Sequence, residues 1–168
     1  MKPILLNSCA RAATTAEARF RIDAPIAPAR ATRVIALDHR AEAVVHRVAG
    51  QPWADARFFT CKSPAGNGSS SNVADLVLIS SDGSESRLSE VLTGADVVVM
   101  VATENDGATA ASAIGDACTL RGIMTAGLVL AGSHDAGAAV SALRPHARVI
   151  MVTYDEHDVS EVLTALRA

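Results

Sequence analysis

Residues 96–102, with the sequence DVVVMVA, are apolar at every position after the first aspartate. A strand with one face in water alternates apolar and polar residues, so this unbroken run predicts a strand that is buried on both faces. Strands of that kind lie in the middle of parallel sheets whose two faces are covered by helices. This one segment therefore restricts the chain to the α/β class.

The rest of the chain from Thr32 onward alternates short apolar runs with segments of helical spacing. The predicted strands are residues 33–38, 56–61, 75–80, 96–102, 124–131 and 148–153. The predicted helices are residues 41–49, 85–92, 108–120, 136–143 and 157–166. Such alternation requires right-handed crossovers. It predicts a doubly wound, mostly parallel six-stranded sheet of Rossmann-like type, in the order 3-2-1-4-5-6, with helices on both faces.

Residues 1–31 lack this regular pattern and contain Pro25 and Pro28. We interpret them as an N-terminal arm or an added edge element, and residues 32–168 as a single α/β domain. The arm is a poor match to a secretory signal peptide, because Pro3 and Asn7 interrupt its apolar stretch. An organelle transit peptide is the alternative that its arginine and alanine content leaves open.

Charge and cysteine usage narrow the partners and the compartment. The formal net charge is -3 and no cluster of lysine and arginine occurs, which argues against nucleic acid as a partner. The longest apolar runs have the length of strands, so no membrane partner is predicted. Cys9, Cys61 and Cys118 are odd in number and far apart, which predicts reduced thiols in a cytoplasmic protein. We expect Cys61 and Cys118 to serve as small apolar side chains.

Ligands of open parallel sheets bind beyond the carboxyl ends of the strands, at the point where the strand order reverses. In the predicted order this switch point lies between the loops that follow the first and the fourth strand. A helix begins directly after the second loop, and Asn105 or Asp106 is predicted to cap it. The candidate ligand-binding residues of the two loops are Asp38, His39, Arg40, Thr103, Glu104, Asn105, Asp106 and Gly107.

Catalytic signals in the sequence are weak. His39 beside Asp38 at the switch point is the candidate for general acid or base chemistry. No Walker loop, GxGxxG, GxSxG or HExxH motif occurs. No metal site is predicted, because His39 and His46 are seven residues apart without further ligands nearby. Asp155 or Asp158 is predicted to cap the last helix, and Trp53 to pack as a plug after Pro52.

Residues 85–163 resemble the nucleotide-binding domain of the FtsZ/tubulin family. The segment ESRLSEVLTGADVVVMVA is similar to the family's helix, Gly-Ala-Asp and apolar strand. The segment ATENDGATAASAIGDACTLRGIMTAGLVLAG falls where the family has its glycine-rich phosphate loop, helix and next strand. The resemblance covers roughly residues 32–168 and implies a GTP site at the two switch-point loops, to which Thr109 would also contribute.

The loops depart from the family at the positions that hold the phosphates. The first loop reads DHRAE where the family has consecutive glycines, and the second reads ENDGATA where it has GGGTGTG. Glu104 and Asp106 place two carboxylates where a triphosphate would lie. The sequence ends before the family's second domain and its catalytic loop. GTP hydrolysis and filament formation by the family's route are therefore not expected, and no intact GTP or NAD fingerprint identifies a cofactor.

Three functions remain open from the sequence. The first is a degenerate FtsZ-like or Rossmann-like domain that binds a small molecule without turnover, and the second is an assembly protein that uses the fold as a scaffold. The third is a small enzyme that uses Asp38, His39, Glu104 and Asp106 on a non-phosphate substrate. Because the family's second domain is absent, surface would be left uncovered, and we expect a homo-oligomer, most simply a dimer. A divalent metal at Glu104 and Asp106 also remains open.

Overall fold

The computed structural model describes residues 27–62, 76–132 and 136–168. Its strands are β1 (Thr32–Ala36), β2 (Ala56–Cys61), β3 (Val77–Ser80), β4 (Glu85–Arg87), β5 (Val97–Ala102), β6 (Met124–Leu130) and β7 (Val149–Thr153). Its helices are α1 (His39–Ala49), α2 (Leu88–Val91), α3 (Ala108–Arg121), α4 (Gly137–Leu143) and α5 (His157–Leu166), and a 3-10 turn (Asn105–Gly107) precedes α3. Most of the predicted arm, residues 1–26, lies outside the described residues.

The strands form one seven-stranded sheet in the order β4-β3-β2-β1-β5-β6-β7. Strands β2, β1, β5, β6 and β7 are parallel, whereas β3 is antiparallel to β2 and β4 is antiparallel to β3. The α/β class and the mostly parallel sheet are therefore confirmed. The predicted count of six strands is wrong, and the order differs by the strand that is added at one edge.

The additional strand arises from a tight turn after β3. Gly83 adopts φ +85°, a conformation that favours glycine. Its N–H donates to the carbonyl of Ser80 at 2.8 Å, and the N–H of Ser80 donates to the carbonyl of Ser84 at 2.8 Å. The chain reverses here and lays Glu85–Arg87 beside β3. The helix predicted over residues 85–92 therefore begins only at Leu88.

Helices cover both faces of the sheet, as predicted. The face that carries Ile35, Val98 and Met100 packs against α2, α3 and α4. The opposite face, which carries Val34 and Val99, packs against α1 and α5. Every residue of β5 is buried, which confirms the predicted central strand, although it begins at Val97 and not at the exposed Asp96.

Helix α3 approaches its neighbours closely because its inner positions are small. Ala111, Gly115 and Ala117 are buried, and α3 packs against β6 and α4. A Cβ at Gly115 would lie 2.3 Å from Cγ of His146 and 2.7 Å from its Cβ. The small residues of α3 thus serve packing within the chain. Among the described residues, no helix is long and apolar enough to cross a membrane.

Trp53 and Cys61 pack against the core from partly buried positions, and Cys118 lies within it. The indole N–H of Trp53 donates to the carbonyl of Val48 at 2.9 Å, and its ring lies 6.3 Å from that of Phe58, so the predicted packing role is confirmed. Cys118 is fully buried and Cys61 packs against the core from a half-buried position, both as free thiols. Burial raises the pKa of the Cys61 thiol to about 12 and that of Cys118 to about 11.

These raised pKa values predict that both thiols react slowly. The thiolate is the reactive form, and at pH 8 only a very small fraction of either thiol is ionised in the folded chain. We expect iodoacetamide to modify Cys61 and Cys118 at least about 100-fold more slowly than in the urea-unfolded chain. Peptide mapping by mass spectrometry measures both rates, and equal rates in the folded and unfolded chain would contradict the burial of the thiols.

Candidate functional site

The carboxylate of Asp38 joins the two switch-point loops. Its Oδ1 accepts from the N–H of Ala41 at 2.8 Å and from the hydroxyl of Thr103 at 2.6 Å. Its Oδ2 accepts from the backbone N–H groups of Thr103 at 2.6 Å and Glu104 at 3.1 Å. Asp38 is 8% exposed, and it is also the N-cap of α1. One carboxylate therefore caps a helix and binds the neighbouring loop through three donors.

Two further contacts hold the same loops together. The guanidinium Nε of Arg40 lies 2.5 Å from Oε1 of Glu104. A Cβ at Gly107 would lie 2.6 Å from Cβ of Leu37 and 3.0 Å from its carbonyl oxygen, so only glycine allows this approach of the 3-10 turn to the first loop. The crevice expected at the switch point is thus crossed by side chains of the protein itself.

The amide of Asn105 binds a different helix from the one predicted. Its Oδ1 accepts from the N–H groups of Ala138 at 2.7 Å and Ala139 at 3.4 Å, and so caps the start of α4. Helix α3 has no capping hydrogen bond from a side chain, because the 3-10 turn leads directly into it. The prediction that Asn105 or Asp106 caps α3 is therefore wrong. Asp106 is exposed in the 3-10 turn, and Thr109 is exposed in the first turn of α3.

His39 lies at the rim of the site and points into solvent. Its side chain is 96% exposed, and its Nδ1 lies 3.2 Å from Oε2 of Glu42, one turn further along α1. Asp38 binds backbone groups and Thr103, and no contact joins it to the imidazole among the described hydrogen bonds and ion pairs. Acid–base chemistry at His39 and Asp38 therefore stays a prediction, and no contact between the two side chains supports it.

The structure thus brings Asp38 and Arg40, at the start of α1, together with Thr103 and Glu104, which lie about 65 residues further along the chain. The sequence placed these residues at one edge of the sheet, but it did not indicate that they bind one another. A signal was present, since an aspartate directly before a helix is a frequent N-cap, and the same oxygens can accept further donors.

A separate groove, which the sequence did not indicate, lies between α1 and the β2–β3 end of the sheet. It has a volume of about 220 Å³, and its lining includes Glu42, His46, Phe58, Thr60 and Ser81. Ligand pockets usually have volumes of about 300–1,000 Å³. The groove is therefore small for a nucleotide or dinucleotide.

Two arginines outside the switch point, Arg47 and Arg33, have structural partners. The guanidinium of Arg47 donates to both carboxylate oxygens of Glu156 at 2.7 Å each, which lowers the pKa of Glu156 and joins α1 to the start of α5. The side chain of the buried Arg33 donates to the carbonyl of Val91 at 3.1 Å, and burial lowers its pKa. The N-cap position of α5 is held by Glu156, whose side chain makes no capping hydrogen bond, and not by Asp155 or Asp158 as predicted. Asp155 contacts the start of the helix, where its Oδ1 accepts from the N–H of His157 at 2.8 Å.

Comparisons with known proteins give no relative that could help to interpret the fold or the site. No protein-family model, no curated protein and no solved structure matches the chain. Within the described residues, no group of three or more histidine, cysteine, aspartate or glutamate side chains is placed to hold a metal ion.

Proposed function

We propose that this chain is a degenerate FtsZ-like or Rossmann-like domain that acts as an assembly protein without hydrolysing nucleotide. The observation that supports this proposal is the closure of the switch point by Asp38, Thr103, Arg40 and Glu104. In nucleotide-binding members of this architecture the same position is a crevice that receives phosphates on free backbone N–H groups. Here the N–H groups of Thr103 and Glu104 are taken by Asp38.

The charge of the loops also opposes phosphate binding. Asp38 already supplies a negative charge to the donors that would face a phosphate. Glu104 and Asp106 add two more carboxylates in the second loop, of which, among the described residues, only Glu104 is paired with a cation, Arg40. Like charges 4 Å apart repel by about 1 kcal/mol even in bulk water and by more near a protein surface. The chain keeps the fold, but hydrogen bonds and an ion pair join the two loops at the edge of the sheet where a ligand would bind. This favours a scaffold over a binder of small molecules.

We expect GTP and GDP to bind with dissociation constants in the millimolar range or weaker. Calorimetry with and without Mg²⁺ measures this, because a bound Mg²⁺ would accept the carboxylates and bridge to the phosphates. In the double variant Glu104→Gly and Asp106→Gly, two repelling charges are removed and the second loop gains backbone freedom. We expect GTP binding to strengthen about tenfold in that variant, which corresponds to about 1.4 kcal/mol.

Arg40→Gln is the matched control for that measurement. It breaks the contact with Glu104 and leaves both carboxylates in place, so it opens the loop without removing the negative charges that repel a phosphate. It is expected to leave GTP binding as weak as in the parent chain. Micromolar affinity for GTP in the parent chain, in either magnesium condition, would overturn the proposed function.

A further inference from the structure

The exposed apolar side chains of this protein are concentrated at one edge of the sheet. Five large apolar side chains are exposed in the described residues, and four of them lie in or directly after β7. They are Val149 at 61%, Met151 at 36%, Val152 at 52% and Tyr154 at 85%, whereas the fifth, Leu120 at 89%, lies on α3. β7 pairs with β6 on one side and, among the described strands, with none on the other.

The two edges of the sheet differ in how they meet solvent. The opposite edge, β4, is three residues long and carries the charged side chains of Glu85 and Arg87. Short, charged edge strands resist pairing with another chain. β7 is five residues long, with the sequence VIMVT, and carries no charge. A long apolar edge presents a row of backbone donors and acceptors that a further strand can join.

We propose that β7 is the interface of a homodimer, in which β7 of a second copy pairs with it in antiparallel orientation and continues the sheet through both subunits. The proposal names the partner and the surface through which the proposed assembly function operates. An antiparallel pairing about a twofold axis makes each residue contact the same surface in both copies, so a single edge strand supplies the whole interface.

The ends of β7 carry opposite charges, which selects the antiparallel orientation and a second copy as the partner. Exposed Arg148 directly precedes the strand, and exposed Tyr154 and Asp155 directly follow it. Antiparallel pairing brings the guanidinium of each copy to the aromatic ring and carboxylate of the other, and both are favourable partners of arginine. Parallel pairing would instead bring the two Arg148 side chains together at one end and the two Asp155 carboxylates together at the other.

The register follows from the backbone of the strand. The carbonyl of Thr153 accepts from the N–H of Ala131 at 2.7 Å and so points towards β6. Because backbone direction alternates along a strand, the polar groups of Met151 also face β6, and those of Ile150 and Val152 face outward. Centring the pairing on Met151 sets Ile150 of one copy opposite Val152 of the other as a hydrogen-bonded pair. Met151 then faces Met151 of the second copy, with a Cα–Cα distance of about 4.5 Å.

Sedimentation velocity of the full chain at micromolar concentration tests the interface. We expect the parent chain to sediment at twice its mass of 17.3 kDa. Val152→Lys places an ammonium at the centre of the pairing and is expected to sediment at the monomer mass. Leu120→Lys is the matched control, since it replaces a more exposed apolar residue away from the edge, and it is expected to stay dimeric. Thermal unfolding followed by circular dichroism checks that both variants remain folded.

Oxidative crosslinking tests the register. In Met151→Cys the two thiols face each other across the twofold axis, and a Cα–Cα distance of about 4.5 Å lies within the range that disulfides adopt. In Val149→Cys the same pairing separates the two thiols by four residues of strand, or about 13 Å. We expect Met151→Cys to form covalent dimers at least about tenfold faster than Val149→Cys, with the untreated parent sequence as the background from its native cysteines.

The outcomes separate this inference from the proposed function. A dimer that persists in Val152→Lys, or crosslinking of Val149→Cys as fast as that of Met151→Cys, overturns β7 as the interface, while assembly through another surface still stands. A monomeric parent chain overturns both the interface and the assembly function. Loss of the dimer in Val152→Lys alone, together with selective crosslinking at residue 151, supports the proposal.

Discussion

Asp38→Asn is expected to lower the free energy of unfolding by about 3 kcal/mol, because hydrogen bonds to a buried charged group are strong and leaving their donors unpaired is costly. Both oxygens of Asp38 accept hydrogen bonds from N–H groups, on one side from Ala41 and on the other from Thr103 and Glu104. Whichever way the asparagine amide is turned, its NH₂ group faces another N–H donor. The substitution keeps the shape of the side chain, so the loss reports on these hydrogen bonds. Urea unfolding followed by circular dichroism measures it.

Asp106→Asn is the matched control for this experiment. Asp106 lies in the adjacent loop and is exposed, so the same chemical change is expected to alter the free energy of unfolding by less than about 0.5 kcal/mol. Losses of the same size in the two variants would show that Asp38 stabilises the fold no more than a surface carboxylate does, and would contradict the crosslink between the loops.

Gly115→Ala is expected to destabilise the protein by about 2 kcal/mol, the size of effect usual for overpacking in a core. The new methyl group would lie 2.3 Å from Cγ and 2.4 Å from Cδ2 of His146. The histidine cannot simply turn away, since its own Cβ is also within 2.7 Å, and the carbonyl of His146 accepts from the hydroxyl of Thr125. The loop that carries His146 or helix α3 must therefore shift. Denaturant unfolding measures the loss.

A double-variant cycle with His146→Gly shows whether this clash is the cause. Without the imidazole and the Cβ of His146, alanine at position 115 meets neither atom and gains helix propensity over glycine, and the substitution should then stabilise the protein by about 0.5–1 kcal/mol. The sign of the effect of Gly115→Ala thus reverses between the two backgrounds. A loss of equal size in both backgrounds would place the strain elsewhere in the packing of α3.

Much of the fold was predictable because its main signals are local. The apolar run of β5 and the helical spacing of α1 and α5 depend on residues that are close in the sequence, and all three elements begin within two residues of the predicted positions. β4 was not predictable in this way. Glu85–Arg87 has little intrinsic preference for a strand, and it becomes one because the turn at Gly83 lays it beside β3.

The site was predictable in position but not in its contacts. The rule for open sheets placed the loops of Asp38 and Thr103 at one edge, and the structure brings them together there. The hydrogen bonds themselves join residues far apart in the chain, as when Asn105 caps α4 across 33 residues. Helix caps are normally sought among adjacent residues, so no local pattern indicated that Asn105 serves a different helix from the one that follows it.

Residues 103–107 are attached twice, to Asp38 at one end and to α4 through Asn105. A molecule that enters the switch point must first detach this loop, and the free energy of detachment weakens its binding. Such a molecule binds only the small fraction of chains in which the loop has detached, and its apparent dissociation constant rises by the inverse of that fraction. If detachment costs about 4 kcal/mol, a compound of micromolar intrinsic affinity binds with a dissociation constant of only about 1 mM. With a detachment cost of that size, the edge of the sheet would bind such compounds only at about millimolar concentrations.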